Sequence, residues 1–240
     1  MPNLVDEPST KFENHSWLVR DIVSVLVAYF VVVILVAYVE NQIFGFKADL
    51  NVSPCAYLLN RIIYAVVLSS LPIFIVFRYY NGTFADIGLT LEDFGKNIAI
   101  GLIAGLIVLA VVSLAHIGLT SVFGEGHDYS QVQKLKTTKS SLGFLAGALS
   151  SVFFAPLSEE IYCRGFAYTI FKKRYGRILG VLLSSFLYAG LHFDMWNTFS
   201  FVILGVGFAL LFERTNSLVA GITAHTVVNL STVSLILLDY

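Results

Sequence analysis

Charge is what this chain has least of. Its 240 residues carry 15 Lys and Arg and 16 Asp and Glu, 13% in all, where a soluble domain carries about 25%. The formal net charge of -1 offers no basic field for phosphates, which excludes a nucleic-acid binder. Cysteine is nearly absent. Cys55, in a predicted loop, and Cys163, in an apolar helix, form no CxxC, so neither a disulfide framework nor a zinc cluster is available. Met1 to Ser16 lack a basic n-region, and the apolar run that follows is of full span length. This predicts an anchor helix and not a cleaved signal. There is no internal repeat, no GxSxG and no His-Glu-x-x-His.

What the chain has instead is apolar surface: 57% of its residues are hydrophobic and the mean hydropathy is +0.78. In water that composition would leave large exposed patches. About seven spans (six to eight) of roughly 20 residues would absorb it, using about 140 residues. The expected fold is therefore all-α, a polytopic transmembrane helical bundle. The expected setting is a lipid bilayer, with the chain a multi-pass protein of the cell membrane.

The spans read as follows. The first runs from about Ile22 to Val39 without a charge, after a polar stretch over residues 1–21. The second covers Ile62 to Phe77 with Pro72 inside. The third covers Asn97 to Phe123, where Gly101 and Gly105 stand four apart and suit close helix packing. The fourth begins near Leu142, passes Pro156, and ends at Phe171. If wholly helical it is about 45 Å long, more than a hydrocarbon core of about 30 Å, so a tilted, kinked or broken helix is expected. Spans at about Ile178–His192, Phe199–Phe212 and Leu218–Leu238 follow.

Lysine and arginine set the orientation. The amino-terminal side would hold Lys11, Arg20, Arg78, Lys96, Lys172, Lys173, Arg174, Arg177 and Arg214. The other side would hold Lys47, Arg61, Lys134, Lys136 and Lys139. This bias favours a cytoplasmic amino terminus.

Ionisable side chains inside spans are costly and mark function. They are few here: Glu159, Glu160 and Arg164 in the fourth span, His192 at the end of the fifth, His225 with Asn229 in the seventh, and His116 in the third. Glu160 and Arg164 are i and i+4, so they share a helix face and can pair. Glu159 points about 100° away and is not consumed by that arginine. A carboxylate in such a setting is a candidate general base. His225 and Asn229 repeat the i, i+4 spacing, as do Tyr188 and His192. One base, two histidines and an amide donor can activate water and stabilise an oxyanion.

Each residue also has a plainer reading. Glu160 with Arg164 can be a structural ion pair, Glu159 and His192 can be interfacial, and His225 with Asn229 can tie neighbouring helices. His116 has no partner motif and reads as a packed or interfacial histidine. Ser158 and Cys163 are possible nucleophiles, but neither sits in a recognised nucleophile motif.

In combination the motifs resemble a family. Glu-Glu-x-x-x-Arg at Glu159–Arg164, an aromatic four residues before a histidine at Tyr188–His192, and His-x-x-x-Asn at His225–Asn229 stand in this order on the last four spans. They resemble the CPBP (CAAX-processing and bacteriocin-processing, or Abi) family of intramembrane proteases over about Ser140 to Leu238. Asp-Ile-Gly-Leu at 86–89 is similar to bacterial members. Tyr188 departs from the family pattern, which has Phe there; an aromatic of similar shape would keep the packing role.

The resemblance implies membrane helices and loops over residues 22–139 and a catalytic core over 140–240, with a water-filled cavity opening toward the cytosol. It implies an intramembrane endopeptidase that hydrolyses peptide bonds near the membrane surface. Glu159 would be the base, activating water with His192, while His225 and Asn229 would form the oxyanion hole. Glu160, Arg164 and Tyr188 would support them. The partner would be a peptide or membrane-associated protein. No cofactor is expected, although both histidines and Glu159 could supply the three ligands a catalytic zinc needs. Two other classes fit the same residues: a non-catalytic membrane protein acting in bacteriocin self-immunity or as a scaffold, and a proton-coupled carrier. The carrier lacks support from any inverted repeat.

Overall fold

The computed structural model describes residues 18–45, 49–124 and 130–238. Most of the polar stretch 1–21, with Lys11, and the loop residue Lys47 lie outside them. The described residues form seven helices and no strand. They are α1 (Val19–Phe44), α2 (Pro54–Tyr80), α3 (Phe94–Phe123), a short α4 (Ser130–Lys136), α5 (Ser141–Gly190), α6 (Thr198–Thr215) and α7 (Leu218–Leu238). A 3₁₀ turn at Phe84–Ile87 lies between α2 and α3.

Local chemistry sets the ends. The Asp21 carboxylate accepts from the Leu18 backbone N–H at 3.1 Å and closes the start of α1. Pro54 opens α2 where a missing N–H costs nothing. The Ser140 hydroxyl accepts from Gly143 N–H at 2.9 Å at the start of α5.

Six of the helices are long and apolar enough to cross a membrane. The chain is thus a polytopic helical bundle. The fourth and fifth expected spans are the two limbs of α5, which meet at Gly176 (φ 81°, ψ 172°). The chain reverses there. A Cβ added to Gly180 would stand 2.9 Å from the Lys172 Cα, whereas eight residues of straight helix span about 12 Å. The short α4 falls between the third and fourth expected spans.

The expected close approach of α3 is present. A Cβ on Gly101 would lie 2.6 Å from the Ala220 carbonyl oxygen, and one on Gly105 would lie 2.8 Å from that of Ala224. Backbones of α3 and α7 are therefore in contact, which only a missing side chain permits. The core lies between both limbs of α5, α6 and α7, around the fully buried Tyr162, Phe166 and Phe208. Tyr162 also donates to the Ile22 carbonyl of α1 at 3.0 Å. Outward faces of α1 and α3 stay apolar, with Ile34 66% and Leu114 70% exposed. Lipid is the solvent for which such faces are suited.

Hydrogen bonds define two ends of the bundle. At the end where α1 begins, Tyr80 donates to Asp21, Leu218 N–H donates to the Gly88 carbonyl at 2.8 Å, and Lys172 reaches Glu213 at 2.7 Å. At the opposite end, Asn60 donates to Glu40 at 2.7 Å and Lys139 N–H donates to the Asn51 side chain at 2.8 Å.

Candidate active site

The first limb of α5 is not a regular α-helix. Residues Ser150–Phe154 and Ile161–Tyr168 are π-helical, on either side of one α-helical stretch at Ala155–Glu160. The Ala155 N–H donates to the Ser150 carbonyl, five residues back. Wide turns of this kind concentrate at functional sites. Here they leave carbonyls for another helix to use. Asn229 on α7 donates to the Ser151 carbonyl at 2.7 Å, and Thr226 donates to that of Val152 at 3.1 Å.

Glu160 and Arg164 form the pair expected from their spacing, both fully buried. Arg164 Nη1 donates to Glu160 Oε1 at 2.8 Å, and Nη2 donates to the Gly205 carbonyl at 3.2 Å. The guanidinium lies over the rings of Tyr188 at 4.5 Å and Phe208 at 5.2 Å. Its Nε and Glu160 Oε2 have no hydrogen-bond partner among the described residues.

Sequence spacing alone did not join this pair to the histidines; the fold does. Nδ1 of His225 stands 3.1 Å from Glu160 Oε1. An ionised carboxylate only accepts, so Nδ1 carries the proton. In the neutral ring Nε2 is then bare, and it accepts from the Tyr188 hydroxyl at 3.3 Å. His192 is set in the same way. Its Nδ1 lies 2.9 Å from the Tyr188 carbonyl, which again fixes the proton on Nδ1 and makes Nε2 the acceptor nitrogen. Phe201 stacks on His192 at 4.0 Å between centroids, and Phe208 stacks on His225 at 4.8 Å.

Both Nε2 atoms face one oxygen. Glu159 Oε2 is 3.9 Å from Nε2 of His192 and 3.9 Å from Nε2 of His225. That is too long for a direct hydrogen bond, and this oxygen is buried without a partner. Glu159 Oε2 and His192 Nε2 thus border one small space, where a water could donate one hydrogen to each. The residues do not fit a metal as well. Among the described residues no group of three His, Cys, Asp or Glu side chains is arranged to hold an ion, and the lone pair of His225 Nε2 is already engaged by Tyr188.

This centre opens into a cavity of about 840 Å³, within the usual range for ligand sites. Its wall includes Tyr57, Arg61, His116, Trp196 and Asn229. The fold therefore brings Glu159, His192, His225, Asn229 and Tyr188 together, with Glu160 and Arg164 behind them. Ser158 lines the cavity too, but its hydroxyl donates back to the Phe154 carbonyl at 2.9 Å. Cys163 is fully buried in the core. His116 reaches the cavity wall without joining the cluster. Sequence reasoning missed Ser151, Phe201 and Phe208. Their one signal is the i, i+7 spacing of the two phenylalanines on α6, which does not distinguish them from ordinary core.

The cavity reaches one end of the bundle. Tyr57 and Arg61 start α2, His116 and Thr120 end α3, and Trp196 lies in the turn after α5. All stand at the end of the bundle opposite the start of α1.

Fold and centre together define a polytopic helical membrane protein with a buried carboxylate–histidine site. Residues 141–231 match the family described as type II CAAX prenyl endopeptidase Rce1-like, and this match supports the resemblance to the CPBP/CAAX proteases. No curated protein and no solved structure matches the chain.

Proposed function

We propose that this protein is an intramembrane endopeptidase that hydrolyses peptide bonds with a water activated by Glu159 and His192. The observation that carries this reading is the buried Glu159 Oε2, without a hydrogen-bond partner and 3.9 Å from Nε2 of both His192 and His225. A water there donates one hydrogen to Glu159 and the other to His192. As its oxygen bonds to the scissile carbonyl carbon, Glu159 takes the proton. The carbonyl electrons move to oxygen, where Asn229 supplies an N–H beyond the one held by Ser151. His225 serves there only with a proton on Nε2. Collapse of the intermediate breaks the C–N bond, and the proton on Glu159 passes to the leaving nitrogen. No step passes through a metal, so processing should persist in the presence of chelators.

The family match supports the protease class, and the site residues are carried by geometry. Comparative peptidomics of membranes bearing wild-type protein or Glu159→Ala tests the reading. New carboxyl termini present only with wild-type protein are the expected result. Identical peptide profiles in both membranes would refute it.

A further inference from the structure

We infer that the Gly176 turn of α5 is a binding site for an anionic phospholipid. The phosphate is held among Lys173, Arg174 and Arg177, and an acyl chain lies along Ile178, Leu179 and Leu210. This place shares no residue with the wall of the cavity that holds Glu159, and the inference stands whether or not the protein cuts.

Two observations carry the inference. The first is charge. Lys172, Lys173, Arg174 and Arg177 crowd into the Gly176 turn, and all four are exposed. The reversal at Gly176 brings the Lys172 backbone against Gly180, so cations from both limbs of α5 gather at one place. Glu213 on α6 accepts from Lys172 at 2.7 Å and lies 3.6 Å from Arg177 Nε. Tyr168 donates to the same carboxylate. One half-buried carboxylate thus orders two of the four cations, and the surface stays positive. Arg174 lies over the exposed Tyr175 ring at 5.7 Å. Arginine suits a phosphate because its planar fork can donate to two oxygens at once.

The second observation is an open groove of about 630 Å³ beside these cations. Its wall is Tyr175, Gly176, Arg177, Ile178, Leu179 and Leu210. Ile178 is 77% exposed. Arg177 therefore joins a positive surface to an apolar one. A free phosphate would use only the first. A zwitterionic lipid brings a cation of its own, which the basic cluster repels. A phosphate with net negative charge and an acyl chain uses both, and basic pockets beside membrane helices take such head groups.

Lipid retention tests the inference. The full chain, purified in detergent, is mixed with equal amounts of phosphatidylglycerol and phosphatidylcholine, and bound lipid is read by native mass spectrometry. Phosphatidylglycerol should be retained about 25-fold over phosphatidylcholine, the scale of two cations acting on an anionic lipid. Lys173→Gln combined with Arg174→Gln should remove most of that preference, while Lys172 and Arg177 keep Glu213. Equal retention of the two lipids by the wild-type chain overturns the inference, as does an unchanged preference in the double variant. A second arm uses the wild-type chain alone and separates lipid from free phosphate. Phosphatidylglycerol should raise the unfolding temperature, and inorganic phosphate at the same concentration should not. An equal rise with phosphate would show that the groove takes no acyl chain and would overturn the lipid assignment. None of these readouts depends on cleavage, which the Glu159→Ala peptidomics reads separately.

Discussion

Helices α1–α3 and helices α5–α7 solve different problems with similar composition. The first three present apolar faces outward and bury little, as the exposure of Ile34 and Leu114 indicates. The last three enclose Glu160, Arg164 and His225, each at most 2% exposed. A polar group in lipid must be satisfied internally, so the later helices need partners that the earlier ones do not. They find them by widening: the π turns of α5 release carbonyls that Thr226 and Asn229 of α7 take up. The difference teaches that the early helices make a wall and the later ones a machine, and each part can be broken separately.

The largest contrast is between carboxylates. Glu159→Ala should lower processing by about 10²–10⁴-fold, the contribution of a general base, and His192→Ala should act in the same direction. Glu40→Ala, at the end of α1, should leave processing unchanged when the same peptides are quantified. Next comes a contrast between arginines. Arg164→Met strands the Glu160 charge and should destabilise the protein by about 3–5 kcal/mol. Arg61→Met removes a cation held over the Tyr57 ring at 4.9 Å and should cost about 0.5–1 kcal/mol. Unfolding in detergent measures both.

Smaller effects sharpen the boundary of the site. Tyr188→Phe keeps the ring under Arg164 and removes the hydroxyl from His225. It should cost about 1 kcal/mol, a hydrogen bond's worth, and change the pH profile of cleavage while the fold stays intact. His116→Ala, in the cavity wall but outside the cluster, should alter cleavage by no more than about twofold, the scale of 0.5 kcal/mol. A large loss there would extend the machine into α3.

Much of this was legible in the sequence, for a physical reason. Where nearly every residue is apolar, a charge inside a span stands out, so Glu159, Glu160 and Arg164 identified themselves. Helices followed from apolar run length, and the Gly101–Gly105 pair correctly signalled a close crossing. Three things stayed hidden. The π turns depend on which carbonyl each N–H selects, and side-chain periodicity does not record that choice. The meeting of Glu160 with His225 joins positions 65 residues apart through the packing of α5 on α7. The reach of the cavity toward one end of the bundle emerges only when helix ends are assembled in space.

The central claim is that Glu159 acts as the base, and one rate comparison tests it most directly. A peptide identified as wild-type specific is presented to purified protein in liposomes, with wild-type and Glu159→Gln chains side by side. Gln keeps the shape and removes the proton acceptor. The account predicts a fall in cleavage rate of about 10²–10⁴-fold at an unchanged unfolding temperature. A Glu159→Gln protein that cuts at the wild-type rate would contradict it.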